Sequence, residues 1–296
     1  MPRTSPFTAP ISTMSFQPSK NSISKDSIRA SFSRAADSYE QSALVQRQVL
    51  ELLDAPLEQA AGAQRILEIG TGTGLLSRRI IERFSPSLFV SLDITPEMTK
   101  VARARLGSRC HLVAADGEAL PFRKGPGFQL AVSASTFQWF FRLPESILEI
   151  VRTLVPGGLL AAIFFSKGTL AELEEALSKA AGRQVRLIPS GFWDRQSLES
   201  ELADAFHIKK GRPFLPVRVS RMEMEEFSYQ RTYPSLVELL RTFKQTGTSP
   251  TLKGRGTSKP MVTSPGMLRR VEEVYLDQFG EIRATYKVIR LVLQRA

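Results

Sequence analysis

Residues 65–74, Arg-Ile-Leu-Glu-Ile-Gly-Thr-Gly-Thr-Gly, constrain this chain more than any other stretch. Residues 65–69 read as a short buried strand. Leu75, Leu76, Ile80, Ile81 and Phe84 then recur at helical spacing. Between the two stand Gly70, Gly72 and Gly74. Glycine leaves the backbone of such a turn bare, because no Cβ holds a ligand away and left-handed conformations cost little. The dinucleotide pattern G-x-G-x-x-G would need glycine at 75, where Leu75 stands. Glu68, just ahead of the turn, would repel a pyrophosphate. The turn therefore predicts a site for a neutral or cationic ligand.

The order of the remaining elements supports that reading. Strands are expected at residues 88–92, closed by Asp93; at 111–115, ended by Asp116; at 128–134; and at 159–165, after the turn Pro156–Gly157–Gly158. Thr95 with Pro96 at the first helical position marks a helix start, and Gly107 its end. A further helix is expected at 144–154. Strands alternating with helices predict an α/β, doubly wound, Rossmann-like parallel sheet with ligands at the C-terminal strand ends. Two helices precede it in residues 28–60, with a break near 37–38 and Pro56 near the end of the second. After residue 165 the rhythm breaks. Helices are expected at 169–181, 197–206, 234–243 and 267–279, and strands at 227–232 and 284–293. The expectation is one domain over 25–296, with lid helices at about 167–206 and 233–265 over the ligand face. The Ser/Thr/Pro-rich residues 1–24 are expected to be disordered, and 246–264 to be a mobile loop.

Composition narrows the function. One cysteine, Cys110, excludes an internal disulfide framework and fits a cytoplasmic protein. The longest apolar run, 159–165, is too short to span a membrane. Two histidines and no C-x-x-C argue against zinc, and there is no nucleotide-triphosphate loop. The net charge of +11 predicts an anionic partner. Lys209, Lys210, Arg212 and Arg218 keep a nucleic-acid-binding alternative open.

Individual residues carry the chemistry. Asp93, at the second strand end, is placed to accept both hydroxyls of a ribose. Asp116, in Ala-Asp-Gly-Glu-Ala-Leu-Pro-Phe, is placed for an adenine amino group, with the backbone of Gly117 and Glu118 beside the ring. Phe137, Trp139 and Phe140 follow the fourth strand and line either a substrate pocket or the core. No [ND]-P-P-[YF] turn of DNA amino-methyltransferases stands there. Arg241 and Lys244, three apart on one helix, share a face.

The pattern E-x-G-x-G-x-G resembles the first motif of class I S-adenosylmethionine-dependent methyltransferases. The cofactor set implied is Glu68, Gly70, Thr71, Gly72, Gly74, Asp93, Ile94, Asp116, Gly117 and Ser133. Flanking pieces resemble a narrower family, the malonyl-acyl-carrier-protein O-methyltransferases of biotin synthesis. They are FSRAADSYEQSALVQRQVLELL (32–53), QWFFRLPESILEIVRTLVPGG (138–158), FFSKGTLAEL (164–173), LLRTFKQTGTS (239–249) and ATYKVI (284–289). Pro250 stands where that family often has histidine. The resemblance implies methyl transfer to the free carboxylate of a malonyl thioester, on acyl carrier protein or coenzyme A. It implies that Tyr39 closes over the methyl donor, and that Arg241, Lys244 and Trp139 meet the substrate. A methyltransferase acting on a quinone precursor or another small acid is the alternative in the same fold.

Overall fold

The strand before the glycine turn forms at Arg65–Ile69 (β1) and is buried at every position but its first. A central parallel strand is covered on both faces, which is why its apolar run is nearly unbroken. The computed structural model describes residues 24–36, 44–122, 127–206, 217–246 and 264–296. The other strands are β2 (Leu88–Asp93), β3 (His111–Ala114), β4 (Phe128–Ala134), β5 (Leu154–Phe165), β6 (Val219–Tyr233) and β7 (Ile282–Arg295). They form one sheet in the order β3-β2-β1-β4-β5-β7-β6. The first five in that order run parallel. β7 is antiparallel to β5 and to β6. Strand order reverses between β1 and β4, so a crevice opens there at the carboxyl ends of the strands.

Alternate residues feed two cores. Ile66, Leu130, Val132, Ala161 and Ile163 point to one face, and Leu67, Ala131, Leu160 and Ala162 to the other. The first face is covered by α4 (Leu75–Phe84), α7 (Ala171–Ala181), α9 (Leu236–Gln245) and α10 (Pro265–Phe279). The second is covered by α6 (Leu143–Thr153) and α8 (Arg195–Phe206). The helices expected as one lid therefore divide. α7 packs against α10 on the first face, while α8 packs against α6 and β6 on the second.

Three strands are longer than expected, β7 by two residues at each end. Pro156–Gly157–Gly158 does not precede β5 but lies inside it. Pairing with β4 jumps from Phe128↔Leu154 to Leu130↔Leu159, so these residues form an irregularity within the strand. β6 extends to both sides of the expected 227–232. It is an edge strand whose charged residues, such as Glu223, Glu225 and Arg231, hide its period.

Ahead of the sheet lie α1 (Lys25–Ala35) and α2 (Leu44–Val49). A 3-10 turn, Leu50–Leu53, and α3 (Asp54–Gln59) follow α2. Pro56 falls in the first turn of α3, where its missing N–H costs nothing. Ser24 caps α1 by accepting from Ser27 N. Residues 1–23, the break at 37–38, Tyr39, Lys209, Lys210, Arg212 and residues 247–263 lie outside the described residues.

Candidate active site

Gly70, Gly72 and Gly74 all have positive φ, of 86°, 53° and 87°. Gly70 N and Thr71 N both donate to Leu92 O, at 2.7 and 2.9 Å, which ties the turn to β2. A Cβ on Gly70 would stand 1.9 Å from Thr136 Oγ1, so both conformation and space demand glycine. At Gly72 nothing lies within 4 Å of the Cβ position; its backbone borders open cleft. Gly74 begins α4 and packs toward Leu106 on α5 (Pro96–Leu106), away from the cleft.

Asp93 fastens the turn to the next helix. Its Oδ2 accepts from Gly72 N and its Oδ1 from Thr95 N, both at 2.8 Å. Thr95 is the N-cap residue as expected, but its side chain makes no capping bond to the helix and turns to Asp93 instead. Burial pushes the Asp93 carboxyl above its usual range, and the backbone donors oppose that shift.

Glu68 does not face a ligand, contrary to the expectation from sequence. It is fully buried beneath the turn. Ser77 and Ser91 both donate to its Oε2. A hydroxyl has one hydrogen, so Thr71 Oγ1 must donate to Ser91 Oγ in the remaining contact. The chain runs Thr71 to Ser91 to Glu68, and Oε1 has no partner among the described residues. Burial pushes the Glu68 carboxyl up to about 7, with the Asp93 charge adding and the two serines opposing. Ser133 is likewise structural: its buried hydroxyl donates to Ile69 O at 2.8 Å and knits β4 to β1.

A cleft of about 110 Å³ opens over the strand ends. Gly70, Gly72, Asp93, Ile94, Asp116 and Gly117 line it, with Trp139 at one side. A second cleft of about 50 Å³ adjoins it over the glycine turn; Thr71 lines this one together with Gly70 and Gly72. The strand-end residues named from sequence are therefore brought together, apart from Glu68, Gly74 and Ser133.

The sequence reading missed the wall contributed by α1. Lys25, Ile28 and Phe32 line the main cleft, so the N-terminal helix closes over it. Lys25 Nζ bonds to Asp116 and lies 2.8 Å from Glu118 Oε2. Phe32 packs edge-on against Trp139, with ring centroids 5.5 Å apart. The four-residue spacing of Ile28 and Phe32 was the available signal. Ser135 and Thr136, also cleft-lining, follow β4 directly.

Arg241 and Lys244 are not at either cleft. Both are exposed on α9, and Arg241 pairs with Glu238 one turn back. Leu236, Leu239 and Phe243 are the buried residues of that helix, and Phe243 lines a third, largely apolar cavity beyond Trp139.

A family model described as a methyltransferase domain matches residues 66–158. The malonyl-[acyl-carrier protein] O-methyltransferase of Geobacter sulfurreducens is 32% identical over 280 residues, covering 90% of this chain and 97% of that protein. The Brevibacillus brevis protein of the same name is 31% identical over 286 residues, covering 93% and 98%. Among solved structures, the YcgJ protein of Bacillus subtilis aligns with a TM-score of 0.53 at 13% identity, over 82% of this chain and 97% of that one. Phosphoethanolamine N-methyltransferase 2 of Haemonchus contortus, solved with S-adenosylhomocysteine, aligns with a TM-score of 0.50 at 15% identity, over 88% and 57%. These structural likenesses bear on the fold. At the sequence identities found, over nearly the whole of both chains, this chain belongs to the malonyl-[acyl-carrier protein] O-methyltransferase family.

Proposed function

We propose that this protein transfers a methyl group from S-adenosylmethionine to the free carboxylate of a malonyl thioester carried on acyl carrier protein, the ester that starts pimeloyl assembly for biotin. The observation that carries the reading is one cleft in which the glycine turn, Asp93 and Asp116 succeed one another across the ends of β1, β2 and β3, in a chain of this family.

The residues fit the methyl donor. Asp93 accepts from Gly72 N, Thr95 N and the Thr95 side chain, and its carboxylate keeps acceptor capacity toward the cleft for a ribose hydroxyl. Asp116 Oδ1 takes Glu118 N, and Oδ2 takes Lys25; acceptor capacity remains for an adenine amino group. The open backbone at Gly72 and the cleft beside Thr71 suit the amino-acid end. Ile28 and Phe32 roof the site and exclude water.

When bound, the sulfonium supplies an electrophilic methyl. A malonyl carboxylate is ionised at neutral pH, so this chain needs no general base. One carboxylate oxygen bonds to the methyl carbon as the carbon–sulfur bond breaks, and the electron pair leaves on sulfur. A cation and an anion become two neutral products, and no proton moves. The work left to the protein is to align the two and exclude water, which favours the charge-neutralising transition state. We assign Tyr39 to the closing of the donor site, as the family resemblance implies.

The test is labelled methyl transfer from S-adenosylmethionine to malonyl-carrier protein, malonyl-coenzyme A and RNA in parallel. Transfer to the carrier-bound thioester, with base-stable label absent from RNA, is expected. Transfer to RNA alone would overturn the reading.

A further inference from the structure

Trp139 stands between two cavities. One is the donor cleft; the other, of about 40 Å³, lies beyond it. The indole packs edge-on against Phe32 on the donor side and against Phe192 on the other, with centroids 5.5 and 5.7 Å apart. The far cavity is walled by Phe165, Phe192, Phe243 and Tyr286, together with Trp139. Gln46 of α2 lines both this cavity and the small cleft over the glycine turn. The cavity thus meets the donor site at two points, Gln46 and Trp139.

Its chemistry is unusual for a site that would hold an anion. Among the described residues, none that lines it is Asp, Glu, Lys or Arg. One buried donor on it, Trp139 Nε1, lacks a partner among the described residues. Buried groups of this kind are normally paired, and an orphan donor beside a cavity points to an acceptor ligand that pairs it.

We propose that this cavity is the methyl-acceptor subsite. It takes the malonyl end of the thioester, with Trp139 Nε1–H and the Gln46 side-chain amide as neutral donors to the carboxylate, and its volume selects against longer dicarboxylates. The proposal rests on the function given above. Neutral donors hold the carboxylate without withdrawing its charge, whereas a guanidinium clamp would weaken the attacking oxygen. The apolar walls also suit the neutral ester that forms. By volume, a water-sized group needs roughly 10–15 Å³ of such space. About three such groups fit, the number in a carboxylate–methylene–carbonyl unit, and each added methylene would press on Phe243 or Phe192.

The experiment compares malonyl, succinyl and glutaryl groups on coenzyme A and on the carrier. In wild type the malonyl thioester should be strongly preferred. Phe243→Ala should raise the glutaryl-to-malonyl ratio of kcat/KM at least tenfold, and Phe243→Leu about threefold, with S-adenosylmethionine affinity unchanged. A binding readout runs beside it. The chain has two tryptophans, and Trp193→Phe leaves Trp139 as the sole emitter. With S-adenosylhomocysteine present, malonyl-coenzyme A should shift that emission, and glutaryl-coenzyme A should not. Ratios within twofold of wild type in folded Phe243→Leu, or Trp139 emission blind to malonyl-coenzyme A, would overturn the subsite. A wild-type protein that methylates none of the thioesters would instead overturn the function itself.

Discussion

The donor half of the site and the acceptor half are built by opposite means. Most of the donor half comes from strand ends and the loops that follow them: Gly70, Thr71 and Gly72 after β1, Asp93 and Ile94 at β2, Asp116 and Gly117 after β3. Backbone hydrogen bonds fix it, from Gly70 N and Thr71 N to Leu92 O and from Gly72 N to Asp93. The acceptor half is a shape. Gln46, Trp139, Phe165, Phe192, Phe243 and Tyr286 come from six separate segments and meet only because the sheet and its covering helices bring them together. A ligand recognised by polar groups can be held by a few local residues. A short acyl end recognised by its length needs walls, and walls come from wherever the fold supplies bulk.

Gly70→Ala should break the donor half most completely. The new Cβ needs both an unfavourable φ and space that Thr136 fills, so stability should fall by about 3–5 kcal/mol. Thermal unfolding measures that loss, and calorimetry should find no S-adenosylmethionine binding in what remains folded. A variant with wild-type affinity would mean that the turn adjusts freely, contrary to its bonding.

Glu68 gives the next largest effect, and it is one of pH. The unfolded carboxyl releases its proton near 4.5, while the folded one keeps it up to about 7. Between those values the folded state binds more protons, so stability is highest below about 4.5 and is lost as pH rises through about 7. The difference is on the order of 3 kcal/mol, at about 1.4 per unit. Urea titrations of wild type across that window should show the decline, and Glu68→Gln should flatten it. An equal slope in both proteins would assign the pH dependence elsewhere.

What the sequence made legible follows the same division. That the glycine turn, Asp93 and Asp116 lie together could be read because consecutive strand ends meet along one edge of the sheet, and they do line one cleft. The parallel part of the sheet also followed from the alternation of elements, whereas the antiparallel β7 and β6, beyond the point where the rhythm breaks, did not. The roles of Glu68 and Ser133 were misread because the sequence does not reveal which side of a turn a side chain takes. Glu68 goes under it and Ser133 across to β1. The expected lid was misread for a similar reason. α7 and α8 are both amphipathic and adjacent in the chain, yet they cover opposite faces of the sheet. On α9 the polar pair Arg241 and Lys244 drew the functional reading, while Phe243, which lines the apolar cavity, was read only as the end of a helix.

Asp93 sharpens the contrast at smaller cost. Asp93→Ala should weaken S-adenosylmethionine binding by roughly 1–3 kcal/mol, since the ribose loses a charged acceptor. Asp93→Asn keeps one oxygen and should fall between the two. Calorimetry on the folded variants decides, and unchanged affinity in the alanine variant would remove Asp93 from the donor half.

The smallest effect is expected at Arg241, two residues from Phe243 on the same helix. An exposed pair with Glu238 contributes little, so Arg241→Ala should change stability by no more than about 0.5 kcal/mol. Its outward position takes it away from the malonyl carboxylate and leaves it free to meet a partner surface. Acyl carrier proteins are acidic, and this chain carries +11. Opposite charge speeds encounter and is screened by salt. Arg241→Ala should therefore raise KM for the carrier-bound substrate about two- to threefold, leave kcat alone, and make the rate less sensitive to salt. Malonyl-coenzyme A, which has no carrier surface, should be turned over as by wild type. If both substrates instead lose kcat, the guanidinium reaches the carboxylate in the closed complex, and the acceptor half is not the neutral cavity described above. If neither substrate responds, and turnover of the carrier is indifferent to salt, the carrier docks on some other face than that of α9.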